Sequence, residues 1–407
     1  LDANENPIGS ATPENWNRYP DPYQFAIKEK LAPIKGCRPT QIFLGNGSDE
    51  PIDLIIRLTC EPKVDNIIIL PPTYGMYEVS ANINDIELRK APLLDDFQLN
   101  LAHMETLVDE HTKLIWICSP NNPTGNSINM ADIEMVLNNF DGIVVVDEAY
   151  INFSRQRSLV TLLADYPNLV VMQTLSKAWG LAGLRLGMAF ASEEIINVYN
   201  KIKPPYNISE AVQELVVKAL DNVEDVNEMI KELVKERKRL EAELPKLAAV
   251  EKVYPSDANF LLVKVVDARG IYEYLLANQI VVRDRSKVLL CEGSLRITVG
   301  TAKENDELFD VENLIFLQTE KESRAVRNYR EPCIIISSSG MISGGRVEQH
   351  IADNISNTYA TILLIGYTAE GTLGRQLLAG TDVIVVKDRE YKVNAQIRKI
   401  DVFSGHA

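Results

Sequence analysis

Histidine is scarce in this chain: of 407 residues, only His103, His111, His350 and His406 carry an imidazole. Spread so thinly, they cannot supply the several ligands that a water-activating metal centre needs. Cysteine is nearly as sparse. Cys37, Cys60, Cys118, Cys291 and Cys333 are odd in number and lack metal-type spacing, so neither a disulfide framework nor a zinc site is expected. They read as reduced thiols of a cytoplasmic protein. No apolar run approaches the length of a membrane span, and no secretory leader is visible. Positive charge is in deficit too: 42 Lys and Arg face 57 Asp and Glu, for a net charge of -15. Neutralising a phosphate backbone needs a basic face, so nucleic acid is not an expected partner beyond a local patch. An initiating Met is missing. The chain opens at Leu1 directly on a motif, and the expectation is that an authentic start has been removed.

What is present suits a globular enzyme. Hydrophobic residues make up 46% of the chain, enough to bury a large core, and the length suggests roughly two or three domains. The most informative string is Thr174-Leu175-Ser176-Lys177-Ala178-Trp179-Gly180-Leu181-Ala182-Gly183-Leu184-Arg185, where two hydroxyls and an arginine bracket one lysine in a small-residue loop. Partial burial and neighbouring charge lower a lysine's pKa and make it an amine nucleophile able to form a Schiff base, while Arg185 stays cationic and can grip a phosphate with two parallel hydrogen bonds. A turn carrying a solvated lysine is the bland alternative.

Upstream, Gly142-Ile143-Val144-Val145-Val146-Asp147-Glu148-Ala149-Tyr150 is a continuous apolar run ending in an acid and a phenol. That is the pattern of a buried parallel strand delivering polar groups to its C-terminal edge, where open α/β sheets bind ligands. Leu114-Ile115-Trp116-Ile117-Cys118 is a second such strand, closing in the turn Ser119-Pro120-Asn121-Asn122-Pro123-Thr124-Gly125. Asn122, Asp147 with Tyr150, and Lys177 with Arg185 therefore close three strands, a set coherent for pyridoxal 5′-phosphate. An aspartate on the pyridine nitrogen keeps that ring protonated, and Asn122 and Tyr150 can hydrogen-bond its phenolic oxygen. Tyr74, in Pro71-Pro72-Thr73-Tyr74-Gly75-Met76-Tyr77, is either a ring to stack on the cofactor or a core tyrosine. Gly45-Asn46-Gly47-Ser48-Asp49-Glu50 leads into the amphipathic run Pro51–Leu58, so its glycines can present helix-start N–H groups to a phosphate. The acids there could equally be simple caps.

With Asp2-Ala3-Asn4-Glu5-Asn6-Pro7, Arg18-Tyr19-Pro20-Asp21-Pro22 and Ser294-Leu295-Arg296-Ile297-Thr298-Val299-Gly300-Thr301 added, residues 1–318 resemble the fold type I pyridoxal-phosphate aminotransferases and, within them, the histidinol-phosphate aminotransferase family. The resemblance implies a large α/β domain with a mostly parallel sheet plus a small α+β domain. It implies Lys177 as the covalent lysine and proton shuttle, Asp147 on the pyridine nitrogen, Tyr150 and Asn122 on the ring oxygen, and Tyr74 stacked on the ring. Gly47, Ser48, Asp49, Thr174, Ser176 and Arg185 would form the phosphate cup, with Tyr19 reaching in from the other subunit of a homodimer. Arg296 and Arg283 would meet the substrate's anionic end, where planar guanidinium forks suit both the carboxylates of glutamate and a phosphate. Asn6 is a further substrate contact by the same likeness, and no metal is implied.

Domain boundaries are expected at a truncated arm 1–25, a large cofactor domain 26–200, a small domain 201–318 and a linker 319–330. Lys203-Pro204-Pro205-Tyr206-Asn207 breaks the pattern, and the charged stretch Val223–Leu244 has helical spacing. Strands are expected at Asn259–Val263, Val281–Arg283 and Leu295–Val299, then a closing helix ending near Gln318. Residues 331–407 begin a second α/β pattern. Ser337-Ser338-Ser339-Gly340-Met341-Ile342-Ser343-Gly344-Gly345-Arg346-Val347, a run that leads on to His350, with Gly366-Tyr367-Thr368-Ala369-Glu370-Gly371-Thr372-Leu373-Gly374-Arg375 and Asp401-Val402-Phe403-Ser404-Gly405-His406-Ala407, resemble the closing part of β-CASP metallo-β-lactamase nucleases that process RNA. There His406 would bind zinc and His350 assist cleavage, but the clustered histidines and aspartate of that family's metal site are missing.

Three functions are compatible with this reading. The favoured one is transamination of L-histidinol phosphate with 2-oxoglutarate to imidazole acetol phosphate and L-glutamate, the tail being an inert fusion. The others are a different fold type I enzyme, such as a threonine-phosphate decarboxylase or an aromatic or aspartate aminotransferase, and an RNA-processing or RNA-binding protein acting through the C-terminal segment.

Overall fold

A computed structural model describes residues 2–309, 320–328, 333, 335, 342, 345–365 and 369–400. The chain divides into two compact units, Leu1–Glu312 and Asn313–Ala407.

In the first unit, residues 2–24 contain no helix or strand, and α1 (Phe25–Lys35) opens the regular structure. A seven-stranded sheet follows: β1 (Ile42–Asn46), then α2 (Asp49–Thr59), β2 (Asn66–Ile69), α3 (Met76–Ile83), β3 (Glu87–Lys90), β4 (Thr112–Cys118), β5 (Ile143–Asp147), β6 (Leu169–Thr174) and β7 (Leu186–Phe190). Its order is β1-β7-β6-β5-β4-β2-β3. The apolar runs explain the central strands. Val144, Val145 and Val146 are all fully buried, because helices cover both faces of a parallel sheet and leave no face for polar alternation. β7 is antiparallel to both β6 and β1. Consequently β1 runs with β6, and the C-terminal ends of β1, β4, β5 and β6 open on one edge. α2 locks the first of these ends: Ile52, Leu54, Ile55 and Ile56 go into the core while Arg57 pairs outward with Asp53 at 2.9 Å. Each such buried side chain contributes about 1.5–3 kcal/mol, so Ile55→Ala would cost about 2–5 kcal/mol through the cavity left behind.

A four-stranded antiparallel sheet, ordered β10-β11-β9-β8, comprises β8 (Val250–Val253), β9 (Phe260–Val265), β10 (Arg283–Asp284) and β11 (Ser294–Thr298). The strand expected over Val281–Arg283 is shorter and displaced. Gln279 is left-handed (φ 63°) and the Ile280 N–H still bonds back to Leu275, so the chain is finishing the preceding helix and only Arg283 and Asp284 join the ladder. The charged helix spans Val223–Glu243; its buried Arg237 donates to the carbonyls of Phe153 (3.3 Å) and Ala258 (2.7 Å), tying the two sheets' layers together. The closing helix is described over Ala302–Phe309, and its expected continuation to Gln318 lies outside the described residues.

In the second unit, β12 (Thr361–Ile365) pairs in parallel with β15 (Gln396–Ile400), and β13 (Val383–Val386) forms a hairpin with β14 (Arg389–Lys392). Ile351, Ile355, Ile362, Leu364, Leu377, Ile384 and Val386 share a small core. Most of residues 331–344, Gly366–Thr368 and the segment with His406 lie outside the described residues. Among the described residues, no helix is long and apolar enough to cross a membrane and no group of three or more potential ligands could hold a metal ion.

Candidate active site

The edge where β1, β4, β5 and β6 end gathers most of the polar residues singled out from sequence. At the end of β1 the chain turns sharply. Gly47 adopts φ +74°, a conformation that only glycine takes without strain, and its N–H donates to the Arg185 carbonyl at 2.6 Å. Space is tight as well as conformation: a Cβ on Gly47 would meet Arg185 Nη2 at 2.6 Å, and one on Gly187 would run into the Gly47–Ser48 backbone. The turn can therefore lie flat against β7 only because both residues are glycine. Ser48 precedes α2 with no side-chain cap bond, so the first N–H groups of α2 are left uncapped by it. The Arg185 guanidinium lies 3.5 Å from Asp49, and Arg185 is itself left-handed at φ 52°. Thr174 and Ser176 complete the rim; the Ser176 N–H donates to Thr174 Oγ1 at 3.1 Å. Beneath it, Glu50 caps the Asn46 N–H and is held by Asn207 Nδ2 at 3.1 Å, fixing the turn from below.

Asp147 closes β5 and is 4% exposed. Its Oδ1 accepts from the Ala149 N–H at 3.0 Å and its Oδ2 from the Tyr77 hydroxyl at 2.6 Å. Burial pushes the Asp147 carboxyl above its usual range, opposed by the Tyr77 hydrogen bond. Tyr74, just before α3, donates to Asp49 Oδ1 at 3.3 Å and meets Tyr77 edge-on at 5.6 Å. Burial raises the Tyr74 phenol to about 12, with Asp49 and Asp147 adding to it.

Lys177 Nζ stands 5.5 Å over the Tyr150 ring. Lys177 is open to solvent as a residue, yet crowding of its ammonium by protein, and then the nearby Arg296 cation, pull its pKa down. Tyr150 is raised by burial, partly offset by Arg296. Arg296, on β11, donates to Asn122 Oδ1 at 2.6 Å, lies over the Phe260 ring at 5.1 Å, and leaves a buried Nε with no partner. Burial lowers its pKa, with Arg285 and Arg283 pushing the same way. Arg283 is the cross-strand partner of Arg296 and points to solvent.

Among the described residues, no hydrogen bond, ion pair or ring contact joins two of the sequence-selected residues to this edge. Tyr19 is 56% exposed and stacks on Tyr206 at 4.4 Å, while its N–H donates to Glu5 at 2.7 Å. Asn6 is exposed and, among the described residues, bonds within the arm, to Ile8 and Asn17. Conversely, three residues near the edge were missed. Tyr77 looks like a core aromatic in sequence, Phe260 like a strand residue, and Arg285, whose buried Nε is also unpartnered, like one more surface charge. Tyr74 lies just before α3 and Tyr77 within it, so no helical spacing in the sequence pairs them.

The arrangement fits pyridoxal 5′-phosphate. A glycine-lined cradle with a helix start and Arg185 suits its phosphate, a buried carboxylate suits a pyridinium, and a depressed lysine suits a Schiff base. The unpartnered Arg296 Nε suits a substrate anion.

The sequence model described as "Aminotransferase class I and II" matches residues 2–311, and one described as "Beta-Casp domain" matches 274–377, overlapping it over 274–311. A histidinol-phosphate aminotransferase of Cytophaga hutchinsonii is 55% identical over 311 residues, 76% of this chain and 89% of that protein. The crystal structure of the histidinol-phosphate aminotransferase from Clostridium acetobutylicum superposes with a TM-score of 0.67 at 25% identity, covering 72% of this chain and 89% of that one. The enzyme of the same name from Sinorhizobium meliloti, in complex with pyridoxal 5′-phosphate, has a TM-score of 0.66 at 23% identity, covering 75% and 87%.

Proposed function

The chain belongs to the class I and II aminotransferases, and from that membership we propose that it transfers the amino group of L-histidinol phosphate to 2-oxoglutarate, giving imidazole acetol phosphate and L-glutamate. It is a pyridoxal-5′-phosphate-dependent transaminase of fold type I. When bound, that cofactor supplies an electron sink for the bond broken at the substrate Cα. The residues of this chain do the rest. Gly47, Ser48, Asp49, Thr174, Ser176 and Arg185 would hold the phosphate, Tyr74 the ring face, Asn122 and Tyr150 the ring oxygen, and Asp147 the pyridine nitrogen. Lys177 Nζ, more easily deprotonated than an ordinary lysine, would take a proton at the substrate Cα and return it one position along. Tyr19 from a second copy of the chain would close the phosphate site in a homodimer; its exposed ring, unused by its own edge, supports this. Asn6, in the same exposed arm, is kept as a substrate contact.

The observation that carries the substrate assignment is Arg296, a half-buried guanidinium on the edge beside Lys177 with Arg283 across the strand, Arg285 close by, and no acidic partner among the described residues. Such a set needs an anion, and planar forks serve both a carboxylate and a phosphate ester. Identity of 55% over 311 residues to a relative bearing that name supports the imidazole-bearing amine over other fold type I substrates. The five free cysteines support a cytoplasmic setting. We keep the domain boundaries near residues 25, 200 and 318 as part of the proposal, with residues 331–407 contributing nothing to transamination and nucleic acid not a partner. The test is glutamate release from 2-oxoglutarate with histidinol phosphate, aspartate, aromatic amino acids and threonine phosphate offered in parallel. Histidinol phosphate should give the highest kcat/KM. Faster turnover of another amine, or carbon dioxide release from threonine phosphate, would overturn the assignment.

A further inference from the structure

We propose that Tyr77 is a positioning residue whose hydroxyl holds Asp147 ionised and aimed at the cofactor ring. The inference rests on the reading that Asp147 faces the pyridine nitrogen. Tyr77 is fully buried on α3, stacked on Trp116 at 4.5 Å and edge-on to Tyr74 at 5.6 Å, so its ring has no freedom to swing. Its hydroxyl donates to Asp147 Oδ2 at 2.6 Å, the length of a bond to an ionised oxygen. The carboxylate's other oxygen is occupied by the Ala149 N–H, so these two donors fix the plane of the group.

Every element packed around Asp147 can be placed in this balance. From β4 comes the Cys118 thiol, a neutral group; from α2 comes Asp49, which disfavours a second negative charge; from the loop after β6 comes Lys177, which favours it. Tyr74 and Tyr150 are neutral phenols. Burial opposes the charged form most of all, and the Tyr77 hydroxyl is the strongest single influence working against that burial. Ordinary packing would be served equally well by phenylalanine. A buried phenol directed at a buried carboxylate is not needed for packing, and its hydroxyl has this acid as its hydrogen-bond acceptor.

The experiment compares the wild-type chain with Tyr77→Phe, which keeps the ring and the stack on Trp116, and with Asp147→Asn. Apoenzyme is titrated with pyridoxal 5′-phosphate from about pH 6 to pH 9, following cofactor absorbance, and thermal unfolding of the apoenzyme is recorded alongside. Losing a hydrogen bond to a charged group should weaken cofactor binding by Tyr77→Phe about tenfold or more at the acid end, with affinity recovering towards wild type at the alkaline end. The acid limb of the binding profile thus moves to higher pH, which a packing defect would not do. A binding profile superimposable on wild type overturns the proposal, and so does a pH-independent loss that tracks a lowered Tm. If Asp147→Asn itself binds cofactor with the wild-type pH profile and turns over normally, the reading of Asp147 fails instead, and the two failures are told apart by that arm.

Discussion

Gly47→Ala tests the cofactor cradle most directly, because two separate penalties can be worked out for it. The first is conformational. An alanine held at φ +74° sits in the left-handed region at a cost of about 1–2 kcal/mol. The second is steric: the new Cβ would stand 2.6 Å from Arg185 Nη2. That atom is the far end of a flexible side chain, so the guanidinium moves rather than the backbone. In the apoenzyme this displacement costs little, since the Arg185–Asp49 pair is long at 3.5 Å and about half exposed. With cofactor the displaced fork loses a charge-assisted bond to phosphate, about 1.5–3 kcal/mol, or roughly 10- to 150-fold in affinity. Apo Gly47→Ala is therefore expected to unfold slightly earlier than wild type but to bind pyridoxal 5′-phosphate far more weakly, and to lose protection by inorganic phosphate against thermal unfolding. Gly36→Ala is the control. Its φ of +72° imposes the same backbone strain at the end of α1, where the nearest atom to a new Cβ is Thr161 Cγ2 at 3.9 Å. It should show the stability loss with unchanged cofactor affinity. Equal behaviour of the two variants, or wild-type affinity in Gly47→Ala, would refute the cradle.

Lys177→Ala should abolish transamination and the borohydride-trapped cofactor adduct; an adduct persisting on the variant would defeat the assignment. The same residue makes a stability prediction with a definite sign. Its folded pKa is depressed, so between that value and the unfolded lysine range the unfolded chain binds more protons and stability rises with pH. An apo Lys177→Met variant should therefore unfold above apo wild type at neutral pH, with the gap closing as pH rises into the ordinary lysine range. Arg296→Lys should raise KM for both amino donor and acceptor about 10- to 100-fold, because an ammonium cannot reproduce the fork or the 2.6 Å bond to Asn122; unchanged KM for either would remove Arg296 from the anion site. A chain ending after Gln318 should keep kcat/KM within about twofold of the full chain, as parts that do not interact behave additively, and the full chain should bind no stoichiometric zinc. Zinc binding lost in His406→Ala together with RNA cleavage would show that the tail has its own activity.

How much was legible in sequence depends on how far each residue's neighbours lie along the chain. β4, β5 and β6 were readable because an unbroken apolar run ending in a polar residue leaves few alternatives, and the end of a parallel strand is where such a residue must emerge. Asn122, Asp147 and Lys177 could be placed on one edge for that reason. Tyr77 could not, since its bond to Asp147 spans 70 positions and depends on how α3 is rotated against the sheet. Phe260 and Arg285 were hidden likewise: the contact of Phe260 with Tyr150 and Arg296 exists only once the small sheet is seated on the large one. Val281 and Val282 misled in the opposite direction. Their β-branched side chains favour a strand, but the helix end held by the hydrogen bond from Ile280 back to Leu275 leaves them as irregular backbone before the ladder begins at Arg283, and tertiary context overrode propensity.

The overlap of the two family matches over 274–311 shows the same limit at the scale of domains. Arg283 and Arg296 stand in that overlap, yet their hydrogen-bond ladder runs to β9, which lies before it. A β-strand acquires its role from the strand it pairs with, since the pairing decides which side chains share a face and what they face. Here β11 is registered residue by residue with Phe260–Lys264, and its Arg296 reaches Asn122 from the large sheet. The segment is therefore built into the aminotransferase unit whichever family its sequence also resembles. The second pattern becomes a separate unit only past it, where Ile351, Ile355, Ile362 and Leu364 turn to a core of their own.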